Sequence, residues 1–257
     1  MSAPPEVRRG TCAKCGHGVN EAFCPSCGQR TGTRRIDGRY LLHELQHGLF
    51  HVDRGILYTL RELFTRPGHS IREFLDGKRV RHFKPLAFVV ITAGVYSFLS
   101  SLLTPNMLGE LPGGQRMPPQ AVALLDWFNA HYALLELATL PLIAGASWFF
   151  FRNAGRTYAE HLVINSYLAG QRYVVSLVQF PAILLLGVKG ALLMAPFIMV
   201  SYAALYVWGT MQLFQGKAGR FILLRAVLAA GIGYLLVVLV GMVIAILWVT
   251  RAGAEMP

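Results

Sequence analysis

All four cysteines of the chain fall within sixteen residues, as Cys12-Ala13-Lys14-Cys15-Gly16 and, after eight intervening residues, Cys24-Pro25-Ser26-Cys27-Gly28. A Cys-x-x-Cys loop aims backbone amides at thiolate sulfur, and a glycine after the second cysteine permits the tight turn that this needs. Two such loops supply four sulfur ligands to one tetrahedral ion, so a zinc ribbon ligated by Cys12, Cys15, Cys24 and Cys27 is expected. Two disulfides and a rubredoxin-like iron site are the alternatives; the eight-residue spacer is short for the rubredoxin fold. A closed four-thiolate site has no open position for substrate, which makes the ion structural. The ribbon would then dock on something. Arg30, Arg34, Arg35 and Arg39 follow it with no aromatic residue among them, which favours a membrane surface or a protein partner over stacked bases.

A second pattern is His43-Glu44-Leu45-Gln46-His47. Two histidines at i and i+4 can share a metal while the glutamate polarises its water, the arrangement of zinc peptidases, with Glu44 as the catalytic group. His51 extends the stripe, but a straight helix carries it roughly 12 Å from His43, so the three cannot close on one ion. A third ligand would have to come from a break at Gly48, or from Asp37, Asp53, His82, or Glu160 and His161. The plain alternative is a solvated polar face.

A third set is ionisable and lies in apolar sequence: Glu136, Arg172, and Glu160 with His161. Charges within a membrane span are costly and tend to face a partner or a cavity. Glu136 and Arg172 fall on adjacent antiparallel segments, where a direct pair needs the helices to be offset. Otherwise Glu136 reaches external water and Arg172 snorkels inward. Glu160 and His161 precede a span and could cap it or join the histidine stripe.

The elements that position these groups follow from where charge stops. Lys78, Arg79, Arg81 and Lys84 end at Pro85, and Leu86 to Leu103 carries no charge. Eighteen uncharged, mostly apolar residues in helix approach the thickness of a bilayer core. Cations beside a span are retained in the cytosol, so the collar places the amino terminus inside and sends the first span outward. A cytosolic ribbon would keep its thiols reduced and free for metal. No apolar stretch precedes Leu86, so this span is expected to be its own insertion signal.

Composition agrees. Of 257 residues 54% are hydrophobic and 14% charged, more apolar content than one soluble core can hide. The net charge of +11 is concentrated in residues 1–85, with fifteen Lys or Arg against eight Asp or Glu. Beside a membrane such charge sets topology and touches anionic lipid headgroups. The expected fold is an all-α integral membrane protein of about five spans: residues 1–35 form the ribbon and a basic linker, 36–84 amphipathic juxtamembrane helices, and 85–257 the membrane domain. The spans are placed at about 86–103, 132–151, 162–188, 191–214 and 225–250, with the carboxyl terminus external.

Within 36–84, Leu42, Leu45 and Leu49 share a stripe, and Ile56, Leu57, Leu60, Leu63 and Phe64 repeat at helical spacing until Arg66-Pro67-Gly68. Asp53 stands as a helix cap. Ser70 to Glu73 has capping-box spacing, with Gly77 as terminator. These helices are expected in the headgroup plane or against the ends of the spans. Trp127 and Phe128 read as interfacial anchors, and Pro181 and Pro196 as kinks around a space.

The order of ribbon, Leu42-His43-Glu44, Asp53-Arg54-Gly55, Thr59-Leu60, Arg66-Pro67-Gly68, Gly77-Lys78-Arg79, Pro85 and Glu160-His161 resembles a family of bacterial membrane proteins with no assigned activity. The resemblance implies a bacterial inner membrane and a ribbon joined to a multi-span body. A fainter similarity to Yip-type five-span proteins rests on span count and short loops. Three functions stay open: non-enzymatic solute or lipid handling, or scaffolding of partners including a homo-oligomer; a metal-dependent hydrolase built on His43, Glu44 and His47; and membrane-tethered nucleic-acid binding, which predicts salt-dependent retention by residues 1–84.

Overall fold

The computed structural model describes residues 10–33, 35–41, 55–103, 115–217 and 219–254. The described residues are 76% helical, with five helices among them long and apolar enough to cross a membrane and a cysteine cluster near the amino terminus. These five fit a multi-pass membrane protein.

The ribbon is two copies of one turn. Strand β1 (Gly10–Thr11) pairs antiparallel with β2 (Gly18–Val19), and twelve residues later Phe23 bridges Arg30 in the same register. In the first copy Cys12 N–H donates to His17 O (2.8 Å) and Gly16 N–H to Cys12 O (2.9 Å); in the second, Cys24 donates to Gln29 O and Gly28 to Cys24 O, each at 2.8 Å. Gly16 and Gly28 adopt φ of 73° and 70°, a left-handed turn that glycine enters without a Cβ penalty.

Helix α1 (Gly55–Thr65) and helix α2 (Pro67–Leu75) follow. Pro67 opens α2, where its missing N–H is no loss. Ser70 therefore lies inside the helix rather than at a cap, and its hydroxyl meets His82 Nε2 at 3.1 Å. The collar then leads into α3 (Pro85–Leu103). Helix α4 (Pro119–Ala130) is followed by α5 (Tyr132–Phe151), a 3-10 turn (Arg152–Ala154), α6 (Tyr158–Phe214) and α7 (Ile222–Ala254).

Helix α6 is two antiparallel arms. Gly187, at φ 61° and ψ −147°, is its non-helical residue. The candidate spans end and restart around it, as Tyr158–Gly187 and Leu192–Phe214. Across the hairpin the Ser176 hydroxyl meets that of Tyr202, and Gln179 Nε2 reaches Ser201 Oγ at 3.5 Å. The turn thus falls at Gly187–Gly190, and Pro181 and Pro196 sit inside the arms on either side of it.

Of the two placements expected for α1 and α2, the structure shows packing against the long helices. Gln171 Nε2 donates to Leu63 O at 2.8 Å, thirteen residues or roughly 20 Å along α6 from Tyr158. Gly68 packs so closely on the second arm that an added Cβ would stand 2.3 Å from Leu213 N and 2.5 Å from Gly209 O. Phe74 meets the Tyr167 ring edge-on at 5.4 Å. The two short helices form a wedge, driven tip-first against both arms of α6. Apolar burial holds it: Leu63, Ile71, Phe74, Phe88, Tyr167, Leu213 and Phe214 share one core. On the wedge itself, Leu63, Ile71 and Phe74 each contribute about 1.5–3 kcal/mol on leaving water.

Candidate functional site

Two groups of residues could do chemistry. The first is the cysteine cluster. The four sulfurs all lie within 4.8 Å of one another. Cys12 Sγ is 3.6 Å from Cys27 Sγ, and Cys15 Sγ is 3.5 Å from Cys24 Sγ. These are not disulfide lengths, and the cysteines are free. Four sulfurs about 2.3 Å from one tetrahedral ion stand about 3.8 Å apart, close to what is observed. The amides of Cys15 and then Lys14 pull the Cys12 thiol down to about 6. At Cys15 the His17 amide acts the same way, but desolvation and the sulfurs of Cys24, Cys27 and Cys12 push it up to about 12. Packed together, the thiols ionise one at a time, and a divalent cation is what lets the rest follow. The donor set therefore fits a metal ion.

The ribbon docks on its own chain. Gln29 sits just beyond the second knuckle, and its Oε1 accepts from the amides of Arg79 and Val80, each at 3.0 Å. Arg35 donates to Glu160 through Nε (3.1 Å) and Nη2 (2.8 Å), and to Gly155 O at 2.6 Å. Arg156 joins Asp76 at 2.8 Å. Glu160 also closes a capping box: its amide donates to Thr157 Oγ1 (3.2 Å) while Thr157 N–H donates to its carboxylate (2.7 Å), which stabilises the start of α6 by about 1 kcal/mol. Sequence reasoning placed Arg35 in a basic run and Glu160 at a cap. It missed Gln29, although the twelve-residue repeat that puts Gln29 where the first knuckle has His17 was there to be read.

The second group lies mid-bundle. Arg172 Nη2 donates to Glu136 Oε2 at 2.5 Å, and Tyr173 donates to the same oxygen at 2.6 Å. Glu136 is the fifth residue of the candidate span Tyr132–Ala154, near its start as the sequence suggests, and it reaches Arg172 through the helix offset that a direct pair requires. Helix α4 continues the path of α5 alongside α7: Trp127 packs on Trp248 at 5.9 Å, and Gly233 faces Ile143. Trp127 is thus a helix-packing residue, stacked on His131 as well. Arg172 in turn lies near the middle of the first arm of α6, fourteen residues from Tyr158 and fifteen from Gly187.

The pair borders a cavity of about 550 Å³ between α4, α5, both arms of α6, and α7. Its wall is largely apolar, with Leu135, Ile143, Val237 and Ile244 among its residues, and Arg172, Asn165, Tyr202 and Tyr206 bring polarity. Gly231 and Gly241 on α7 give it room, since an added Cβ at either would meet nothing within 4 Å.

His161 is buried away from metal chemistry: its Nδ1 meets Ser147 Oγ at 2.7 Å and its ring stacks on Phe214. His43, Glu44, His47, His51 and Asp53 lie outside the described residues. The other ligands considered for them are engaged elsewhere. Asp37 Oδ1 accepts from Tyr40 N (2.8 Å), and His82 has Nδ1 at Lys78 O (2.9 Å) and Nε2 at Ser70. Glu160 is held by Arg35 and Arg156.

A family described as "Protein of unknown function (DUF3667)" matches residues 53–97. The match covers the wedge, the collar and most of α3, a smaller share of the chain than the resemblance drawn from its motifs. The cysteine cluster and the cavity lie outside it. No curated protein and no solved structure matches the chain.

Proposed function

We propose that this is a multi-pass membrane protein that takes a small molecule from the bilayer into the cavity beside Glu136 and Arg172, with a zinc ribbon as the clamp on its cytosolic side. One observation carries the reading: an ion pair in the middle of five apolar helices opens onto a 550 Å³ space instead of being packed over. Ionisable groups at that depth are retained where they serve a ligand or a pathway, and the volume falls in the range of small-molecule sites.

Zinc supplies no open coordination position here. Its part is to hold two knuckles together so that Gln29 and Arg35 grip the collar and the start of α6. The collar of Lys78, Arg79, Arg81 and Lys84 supports a cytosolic ribbon and an external carboxyl terminus in a bacterial inner membrane. The hydrolase reading has no observation of its own, since His43, Glu44 and His47 lie outside the described residues.

The test is extraction of the purified full chain with organic solvent, followed by mass spectrometry. Wild type is expected to carry close to one bilayer-derived molecule per chain, and Gly241→Leu, which fills the cavity, to lose it. Identical extracts from the two proteins would end this reading.

A further inference from the structure

Arg172 has more donors than its own chain uses. A guanidinium carries five N–H groups in a planar fork, and the hydrogen bond from Arg172 goes through Nη2 to Glu136. Among the described residues no hydrogen bond engages Nε or Nη1. The side chain is 27% exposed, against 8% for Glu136, and it lines the cavity. The guanidinium carbon lies 5.2 Å from the Tyr173 ring centroid and 5.4 Å from that of Tyr202. The two rings and Glu136 hold the fork while its remaining edge borders the space.

Donors left bare in apolar surroundings cost several kcal/mol each, so what occupies the cavity must bring an acceptor. The charge of that acceptor follows from Glu136. The pair is already neutral, and an anionic headgroup would leave one uncompensated negative charge among Leu135, Ile143, Val237 and Ile244, a heavy desolvation cost. A hydroxyl or carbonyl oxygen satisfies the fork without that cost. The apolar remainder of the wall suits a hydrocarbon tail.

We infer that the cavity binds an uncharged, lipid-like amphiphile whose hydroxyl or ester oxygen accepts from the open edge of Arg172. The inference rests on the reading of the cavity as a ligand site and adds the headgroup chemistry to it.

Equilibrium binding to the full-length protein in phosphatidylcholine nanodiscs tests it, with three radiolabelled probes of equal tail length: 1-monooleoylglycerol, oleate at pH 9, and 1-octadecene. Monooleoylglycerol is expected to bind saturably near one per chain and at least tenfold tighter than oleate or octadecene. Arg172→Lys, which keeps the charge and loses the fork, should weaken it about tenfold. Gly231→Leu, which puts a side chain into open space and replaces a helical glycine, should abolish it. If oleate binds as well or better, or octadecene binds equally, the headgroup assignment is wrong while the cavity reading stands. The same holds if a folded Arg172→Lys binds unchanged. If none of the probes binds saturably, or Gly231→Leu binds as wild type does, the cavity reading itself fails. The wild-type probe series decides the headgroup question even where Arg172→Lys does not fold.

Discussion

Removing the Glu136 carboxylate leaves the Arg172 guanidinium without its counter-ion in the middle of the bundle. The carboxylate oxygen Oε2 takes both the Arg172 and the Tyr173 hydrogen bonds, at 2.5 and 2.6 Å, so Glu136→Ala costs two charge-assisted bonds and strands a cation. Breaking a fully buried pair costs about 3–5 kcal/mol, whereas hydrogen bonds between membrane helices average nearer 0.6 kcal/mol. Arg172 faces a cavity instead of packed side chains, so the expected loss lies between, at about 2–3 kcal/mol. For a chain this long that is a fall in melting temperature of roughly 4–12 °C. Glu136→Gln keeps one acceptor and should lose about half as much. The informative comparison is the double variant Glu136→Gln with Arg172→Gln, in which neither charge is stranded. Thermal unfolding of the four proteins in one detergent gives the cycle, and the double variant should be more stable than the sum of the single losses by at least 1 kcal/mol. Additivity to within about 0.5 kcal/mol would show that the two side chains are not energetically coupled and refute the pairing.

Three further outcomes follow from the same geometry. The full chain should bind one divalent metal ion and lose it on Cys12→Ser or Cys24→Ser, with cobalt substitution giving the absorption of tetrahedral thiolate ligation; a stoichiometry of zero in metal analysis contradicts the ribbon. Gly68→Val places methyl groups where even a Cβ stands 2.3 Å from Leu213 N, so the wedge should shift off α6, measured as faster amide exchange in residues 55–75 and a loss of about 3 kcal/mol or more; unchanged exchange would deny the close approach. Burial holds the His82 imidazole below its ordinary 6.5, outweighing the Lys78 carbonyl, Glu73 and Glu62. A depressed histidine contributes stability above the unfolded value and loses it as pH falls through 6.5 towards the folded one, so the melting temperature should drop on acidification from pH 7 to pH 5, and drop less in His82→Gln.

How far the sequence carries differs from one residue to the next. Cys12, Cys15, Cys24 and Cys27 were legible as a set because a tetrahedral thiolate site needs only local spacing, and the knuckle is a local backbone structure. The five spans were legible because a bilayer imposes length and absence of charge on each helix separately; the Gly187–Gly190 turn was visible as an interruption of that pattern. Whether Glu136 meets Arg172 was not, because the offset between α5 and α6 depends on what α4 and α5 pack against, and Trp248, which Trp127 meets, stands more than a hundred residues away. The choice between the two placements open to the wedge was undecided for a related reason. Amphipathic periodicity in α1 and α2 shows that one face must be covered, and it is silent on whether lipid headgroups or α6 covers it.

What the chain determines alone, then, is what short-range chemistry and the solvent dictate: thiolate spacing, helix length, and the places where charge must stop. What only the tertiary structure decided is which distant groups meet. Glu136 met Arg172, Gln29 met the collar amides, Arg35 met Glu160, and the glycines of α7 opened a cavity beside them. Each of those contacts depends on the offset between helices, which is set by the summed packing of many side chains and is written in no single stretch of residues.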